Sequence, residues 1–228
     1  MEHLLLLHGA IGAKDQMMPL ADELKNDFII HTLSFSGHGG EPMPDAFSIE
    51  IFAEDVLKYL KENNIERINI FGYSMGGYVG LYLAKYHSEK ISKLFILATK
   101  FAWTPEISQK EIKMLDAEKI SEKIPAFAEI LKNRHQPNDW KLLLKKTADM
   151  MIALGYKNTL TLEDLRSISI PAIISVGEND NMVTLSETKD VAQNLINGEL
   201  LIIPDTLHPI EKVDVEYMSG EIKKFFGK

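Results

Sequence analysis

A serine with glycine two residues to either side stands in Gly72-Tyr73-Ser74-Met75-Gly76. It follows the apolar run 68–71 directly and opens a stretch rich in small residues. A serine on a sharp strand-to-helix turn stands clear of the backbone, and flanking glycines relieve the crowding that such a turn creates. Its hydroxyl then lies near a helix N-terminus, where outward N–H groups can meet developing negative charge. An incidental serine in a glycine-rich turn is the plainer alternative. The strand pattern before it and the helix pattern after it favour nucleophilic chemistry.

A serine hydroxyl is a poor nucleophile until a neighbouring base takes its proton. Among seven histidines, His208 lies in Pro204-Asp205-Thr206-Leu207-His208-Pro209, just past the last apolar run. Loops at the carboxyl ends of parallel strands are where such sheets bind ligands, so His208 falls on the same sheet edge as Ser74. A loop histidine alone is more often a surface residue; its place relative to Ser74 reverses that expectation. His8, in Leu7-His8-Gly9-Ala10, reads as a structural imidazole that pins a loop. His38, in Ser36-Gly37-His38-Gly39-Gly40, reads as a turn residue within reach of substrate, and His3, His31, His87 and His135 carry no motif and no assigned role.

The imidazole needs a third group to fix its tautomer and stabilise its charged form. Asp180, in Gly177-Glu178-Asn179-Asp180-Asn181, follows the apolar run 172–176 and so reaches the same edge. Aspartate also favours turns, and Glu178 and Asp205 compete for the role. Asp205 is only three residues before His208, where it can cap the loop instead. Asp180 is the preferred acid.

The elements that must position these residues are short apolar runs at 4–7, 28–33, 68–71, 94–98, 172–176 and 200–203, alternating with amphipathic stretches. Most of the runs are continuously apolar, as in parallel strands buried on both faces. Helical periodicity links Ile49, Phe52, Val56 and Tyr59, and again Val215, Met218, Ile222 and Phe225. Gly76, Gly80 and Ala84 recur every four residues, which predicts a helix with one nearly bare face pressed on the sheet. Between residues 104 and 166 the alternation stops. Apolar residues such as Met114, Phe127, Trp140, Met150 and Met151 sit there among many Lys and Glu, which predicts helices without strands. Those five side chains are expected to offer substrate an adaptable apolar surface, although each one singly could simply be packing.

Composition narrows the function further. A net charge of -8 argues against a nucleic-acid binder, and Lys141, Lys145 and Lys146 read as a solvated helix face. Without cysteine, thiolate catalysis, disulfides and zinc–thiolate sites are excluded. Met1-Glu2-His3 runs into four leucines, too short and too poor in basic residues for a secretory signal. No run approaches the roughly 20 apolar residues of a membrane span. The expectation is a cytoplasmic protein without a membrane span, with the oligomeric state left open.

Taken together, Leu7-His8-Gly9, the Gly72–Gly77 run, residues 170–177 with Asp180, and Leu207-His208 resemble the α/β-hydrolase fold family, in the chain order Ser, Asp, His. The resemblance implies an α/β fold over residues 1–228. It has a mostly parallel sheet of about six strands, helices on both faces, and residues 104–166 as a helical cap inserted before the last two strands. It also implies a catalytic Ser74, Asp180 and His208, with an oxyanion hole from the backbone N–H groups of Ala10 and Met75. No cofactor and no metal are implied, and the partners are a small-molecule acyl substrate and water. The first strand starts almost at Met1, which points to six strands rather than eight. Met182-Val183-Thr184 ends where a proline is common in the family. Serine at position 74 disfavours the haloalkane dehalogenase and epoxide hydrolase branches, which carry Asp there. The expected activity is hydrolysis of a carboxylic ester or thioester of a small to medium acyl group. Carbon–carbon bond hydrolysis or lyase chemistry is an alternative. The Gly72–Gly77 run resembles the menaquinone-pathway lyase, except that Tyr78 stands where that enzyme has Arg. A ligand receptor built on the same scaffold is a further alternative, marked by slow turnover and tight product retention.

Overall fold

The computed structural model describes residues 1–227. Six strands, β1 (His3–Leu7), β2 (Ile29–Leu33), β3 (Ile68–Tyr73), β4 (Ile91–Leu97), β5 (Ala172–Gly177) and β6 (Gly198–Ile203), form one sheet in the order β2-β1-β3-β4-β5-β6. Every pairing is parallel. The predicted runs all become strands. β3 and β5 are buried at every position, whereas β6 at the sheet edge is largely exposed on one side.

Alternation within β1 explains the two-sided core. Leu4 and Leu6 pack on one face with α1 (Met18–Leu24) and α10 (Val215–Phe226). Leu5 and Leu7 pack on the other with α2 (Ile49–Glu62), α3 (Met75–Tyr86) and α9 (Leu185–Asn194). The α2 stripe is as expected at Ile49, Phe52 and Val56, but Leu60 takes the last core position. Tyr59 instead turns its hydroxyl to His31 Nδ1 at 2.9 Å. In α10 the stripe runs Met218, Ile222, Phe226, so Phe225 sits at its margin. β1 lies between β2 and β3, and the strand order therefore reverses there. The carboxyl end of such a strand is the usual ligand crevice of a doubly wound sheet.

The bare helix face is real and close. A Cβ on Gly76 would lie 2.6 Å from the Leu7 carbonyl oxygen and 2.7 Å from that of His8, and one on Gly80 would lie 2.7 Å from a Leu94 methyl. No side chain larger than hydrogen fits at residue 76 without moving the end of β1.

Between β4 and β5 come only helices: α4 (Pro105–Glu111), α5 (Ala117–Lys123), α6 (Pro125–His135), α7 (Trp140–Tyr156) and α8 (Leu162–Leu165). Thr104 caps α4 by accepting from Ile107 N–H, and Thr161 with Asp164 forms a capping box on α8. The cationic cluster on α7 is solvated: Lys141 pairs with Glu118 at 2.8 Å and Lys145 with Asp149 at 2.9 Å. Among the described residues no helix is long and apolar enough to cross a membrane.

Two glycine-to-alanine substitutions should therefore move stability in opposite directions. Gly76→Ala forces the β1–α3 contact apart and should lose about 1–3 kcal/mol. Gly220→Ala, in α10 with nothing within 4 Å of the added methyl, should gain about 0.5–1 kcal/mol from helix propensity. Urea denaturation of both variants checks the pair; a Gly76→Ala protein as stable as its parent would refute the close contact.

Candidate active site

Ser74 lies between β3 and α3 with φ 51° and ψ -115°, a conformation rarely tolerated outside glycine. Such strain persists only where the surroundings over-determine it, and here they do. Ser74 N–H donates to the Leu97 carbonyl at 2.8 Å. Its own carbonyl accepts from Thr99 Oγ1 at 2.7 Å, Gly77 N–H at 3.0 Å and Tyr78 N–H at 3.3 Å. The next residue, Met75, begins α3, so its N–H has no acceptor within the helix.

Asp180 and His208 meet. His208 Nδ1 donates to Asp180 Oδ2 at 2.8 Å, with the carboxylate fully buried and the imidazole one-tenth exposed. The other carboxylate oxygen accepts from the N–H groups of Met182 and Val183, each at 2.8 Å. Burial pushes this carboxyl up. The bonds from His208 and from the Val183 and Met182 amides outweigh it and hold Asp180 below the ordinary carboxylate value. The competing acids are elsewhere: Glu178 accepts from Asp205 N–H, and Asp205 occupies a left-handed turn at φ 49°.

Tyr73 joins the two halves. Its hydroxyl donates to the His208 carbonyl at 3.0 Å, and its ring centroid is 5.7 Å from that of the imidazole. Among the described residues no hydrogen bond links Ser74 Oγ to His208. Contacts of this kind often tighten only around bound substrate.

The loop after β1 is built around a neutral histidine. Phe35 N–H donates to His8 Nε2 at 3.1 Å, so the proton is on Nδ1, which donates to the Gly9 carbonyl at 2.8 Å. That carbonyl also accepts Gly12 N–H at 3.2 Å, closing a tight turn with Ile11 at φ 54°. His8 thus pins the loop as its position suggested. His38 is fully buried, with Nδ1 donating to the Ser36 carbonyl at 3.0 Å. It therefore lies in the core rather than at a substrate surface. His135, at the end of α6, carried no signal at all in the sequence. It is completely buried, accepting Gly39 N–H on Nδ1 and donating from Nε2 to the Ile11 carbonyl, both at 3.0 Å. Its partners are 96 and 124 residues away in the chain, beyond the reach of any local motif.

A chamber of about 50 Å³ opens onto Ser74, lined by Ala10, Met75 and Tyr78 from the sheet side and by Trp103, Met150, Met151 and Leu154 from the helical side. Of the five apolar residues expected to face substrate, Met150 and Met151 line this chamber. Met114 points to solvent, and Trp140 and Phe127 pack into or against the core, because helical periodicity cannot say which stripe faces a chamber and which faces a neighbour. Lys100 also lines the chamber. Its ammonium is tied to the Met182 carbonyl and flanked by Glu111 at 3.7 Å and Glu187 at 3.9 Å. No local motif points to this cluster. Among the described residues no three His, Cys, Asp or Glu side chains gather as a metal site would require.

A family model for the alpha/beta hydrolase fold matches residues 2–117, and the chain belongs to that family. It is an α/β-hydrolase enzyme. The 3-oxoadipate enol-lactonase 1 of Acinetobacter baylyi is 25% identical over 242 residues, which cover 96% of this chain and 88% of the relative. A pimeloyl-acyl-carrier-protein methyl ester esterase of Vibrio vulnificus is 22% identical over 253 residues, covering 99% and 94%. Among solved structures, a hydrolase from Pseudomonas aeruginosa superposes with a TM-score of 0.82 at 20% identity, covering all of this chain and 90% of the other.

The buried histidines set an acid limit on the fold. Burial lowers His8 to about 4, holds His38 well below its ordinary value and lowers His135, with Arg134 reinforcing the last and Asp15 opposing it. Unfolded, all three titrate near 6.5. Below that pH the unfolded chain binds protons that the native fold refuses. Stability is therefore complete above about pH 6.5 and falls as the pH drops towards 4, with His8 alone contributing on the order of 3 kcal/mol. Thermal unfolding midpoints should decline steadily from pH 7 to pH 4.5, and His38→Gln should decline less steeply. A flat profile over that range would rule the explanation out.

Proposed function

We infer that this enzyme cleaves a carboxylic ester or thioester of a small to medium acyl group through an acyl-enzyme on Ser74. The observation that carries the reading is the 2.8 Å bond from His208 Nδ1 to the buried Asp180 carboxylate, on the sheet edge where Ser74 occupies its strained elbow. With its proton held on Nδ1, the imidazole offers the Nε2 lone pair as general base. Ser74 Oγ loses its proton to Nε2 and attacks the acyl carbon. The carbonyl oxygen becomes an oxyanion and accepts from the N–H groups of Ala10 and Met75. The imidazolium, stabilised by Asp180, then protonates the leaving alcohol or thiol. Water repeats the sequence on the acyl-enzyme and releases the acid.

The orientation of Ala10 supports its part in this scheme. Its N–H and the Gly9 carbonyl are opposite ends of one planar trans peptide. Because His8 and Gly12 hold that carbonyl, the N–H must aim the other way, and Ala10 lines the same chamber as Ser74. The relatives named as a lactonase and a methyl ester esterase both act on acyl–oxygen bonds, which favours the ester reading.

Residues 104–166 serve in this reading as a cap that selects the acyl group. The chamber beneath it holds about 50 Å³, room for a short acyl chain. A groove of about 420 Å³ shares Ile49, Met150 and Leu154 with the chamber and continues past Tyr82, Tyr86 and Lys157. It can accept the larger arm of the substrate.

Ser74→Ala should abolish hydrolysis of p-nitrophenyl esters and labelling by a fluorophosphonate while leaving the fold intact; labelling that persists in the variant would sink the assignment. Asp180→Asn should lower kcat by on the order of 10⁴ through loss of the working tautomer, with Asp205→Asn nearly unchanged. If Asp205→Asn suffers the larger loss, the acid is the wrong one.

Trimming Met151 to Ala should enlarge the chamber. Since each buried methylene contributes about 0.8 kcal/mol, kcat/KM for hexanoyl relative to acetyl esters should rise roughly five- to tenfold. Met114→Ala, on the solvent side, should leave that ratio alone. Equal ratios in both variants would make the helical segment scaffolding rather than a selector.

A further inference from the structure

We propose that His135, contributed by the helical insertion, is a positioning residue that orients the oxyanion-binding N–H of Ala10 through a chain of peptide hydrogen bonds. The proposal rests on the reading of Ala10 as an oxyanion donor. His135 Nε2–H donates to the Ile11 carbonyl at 3.0 Å. That carbonyl and Gly12 N–H are the two ends of one peptide, and Gly12 N–H donates to the Gly9 carbonyl at 3.2 Å. The Gly9 carbonyl and Ala10 N–H are in turn the two ends of the next peptide, so the orientation imposed at His135 is passed on to the donor.

The chain also extends upstream. Glu41 N–H donates to the His38 carbonyl at 3.0 Å, and the other end of that peptide, Gly39 N–H, donates to His135 Nδ1 at 3.0 Å. Every bond points the same way, towards the chamber. Aligned hydrogen bonds polarise one another, so the sequence both fixes Ala10 N–H and strengthens it as a donor.

Strain shows why the loop needs this hold. Ile11 is β-branched and sits at φ 54°, a position that a tight turn ordinarily gives to glycine. Such a conformation costs on the order of 1–3 kcal/mol. If the Ile11 carbonyl were released, the residue would relax to negative φ, turn Gly12 N–H away from Gly9 and free the peptide that carries Ala10 N–H. Arg134 and Asn138 also tie this corner of the insertion down, to Asp15 at 3.0 Å and to the Gly37 and Glu41 carbonyls at 3.1 and 2.7 Å. None of these three bonds reaches the 9–12 turn. Seating of the insertion and readiness of the oxyanion site are therefore coupled through His135.

The test compares His135→Leu, His135→Gln and Arg134→Ala, in the full-length protein, for kcat and KM on p-nitrophenyl acetate. Each is also titrated with a trifluoromethyl ketone, whose adduct with Ser74 carries an oxyanion where that of the reaction forms. His135→Leu should lower kcat about 10- to 100-fold, with ketone affinity falling by a similar factor, as expected when an oxyanion donor is misaligned. KM should change little. Glutamine, which can donate to Ile11 and accept from Gly39, should recover most of both, and Arg134→Ala should leave ketone affinity unchanged. A fall in kcat with ketone affinity intact, or equal losses in Arg134→Ala, would overturn the proposal in favour of simple anchoring. If His135→Leu does not fold, His135→Asn, whose shorter amide cannot span from Gly39 N–H to the Ile11 carbonyl, takes its place: a fall in ketone affinity supports the relay, and an affinity equal to the parent's overturns it. An adduct that fails to form even in the parent enzyme would overturn the Ser74 reading as well, whereas one that forms equally well in parent and His135→Leu overturns this inference alone.

Discussion

How near α3 can come to the carboxyl end of β1 decides where everything else in the site can be. At Gly76 the helix backbone rests directly on the Leu7 and His8 carbonyls, with no space for a methyl group. That contact brings the elbow at Ser74 alongside the turn that follows His8, so that Ser74, Met75 and Ala10 share one chamber. A helix standing farther off would leave Ser74 and the loop amide on opposite sides of a gap. The remaining machinery is arranged around this fixed distance. Thr99 and Leu97 hold the elbow from β4, and Tyr73 grips the His208 loop from β3.

Neutral histidines do much of the structural work near the chamber. His8 and His135 each accept one backbone N–H and donate to one backbone carbonyl, satisfying four peptide groups in places where secondary structure cannot. An imidazole suits this because its two nitrogens face opposite ways and can play opposite roles. Burial keeps them uncharged, which preserves both roles at once. By contrast, the charged group nearest the chamber, Lys100, is held between two carboxylates and a carbonyl. It links the loop after β4, the end of α4, the Asp180 loop and the start of α9.

The sheet could be read from the sequence because its strands are continuous apolar runs whose burial needs no partner to be specified. The elbow could be read for a similar reason: Gly72, Ser74 and Gly76 are all local, and the bare stripe on α3 repeats at a fixed interval. Asp180 and His208 are legible through topology, as loop residues at the same sheet edge, and they lie within hydrogen-bond distance. What stayed hidden depends on contacts between distant segments. His135 looks like any helix-terminal histidine until α6 is folded onto the 9–12 turn. Met114, Phe127 and Trp140 share the apolar character of Met150 and Met151, and only the packing of α7 against the sheet domain separates chamber from core. The buried cluster at Lys100 likewise assembles from four segments, none of which is unusual by itself.

Tyr73 has a consequence for precision. The residue before Ser74 donates to the backbone carbonyl of His208, so a single phenol ring spans from one to the other. With both tied to the same ring, a displacement of the β3 terminus would carry Ser74 and His208 in the same direction and change their separation less than the position of either. The arrangement is that of a rangefinder on one tripod: two sighting points on a common mount would shift together, with the baseline preserved.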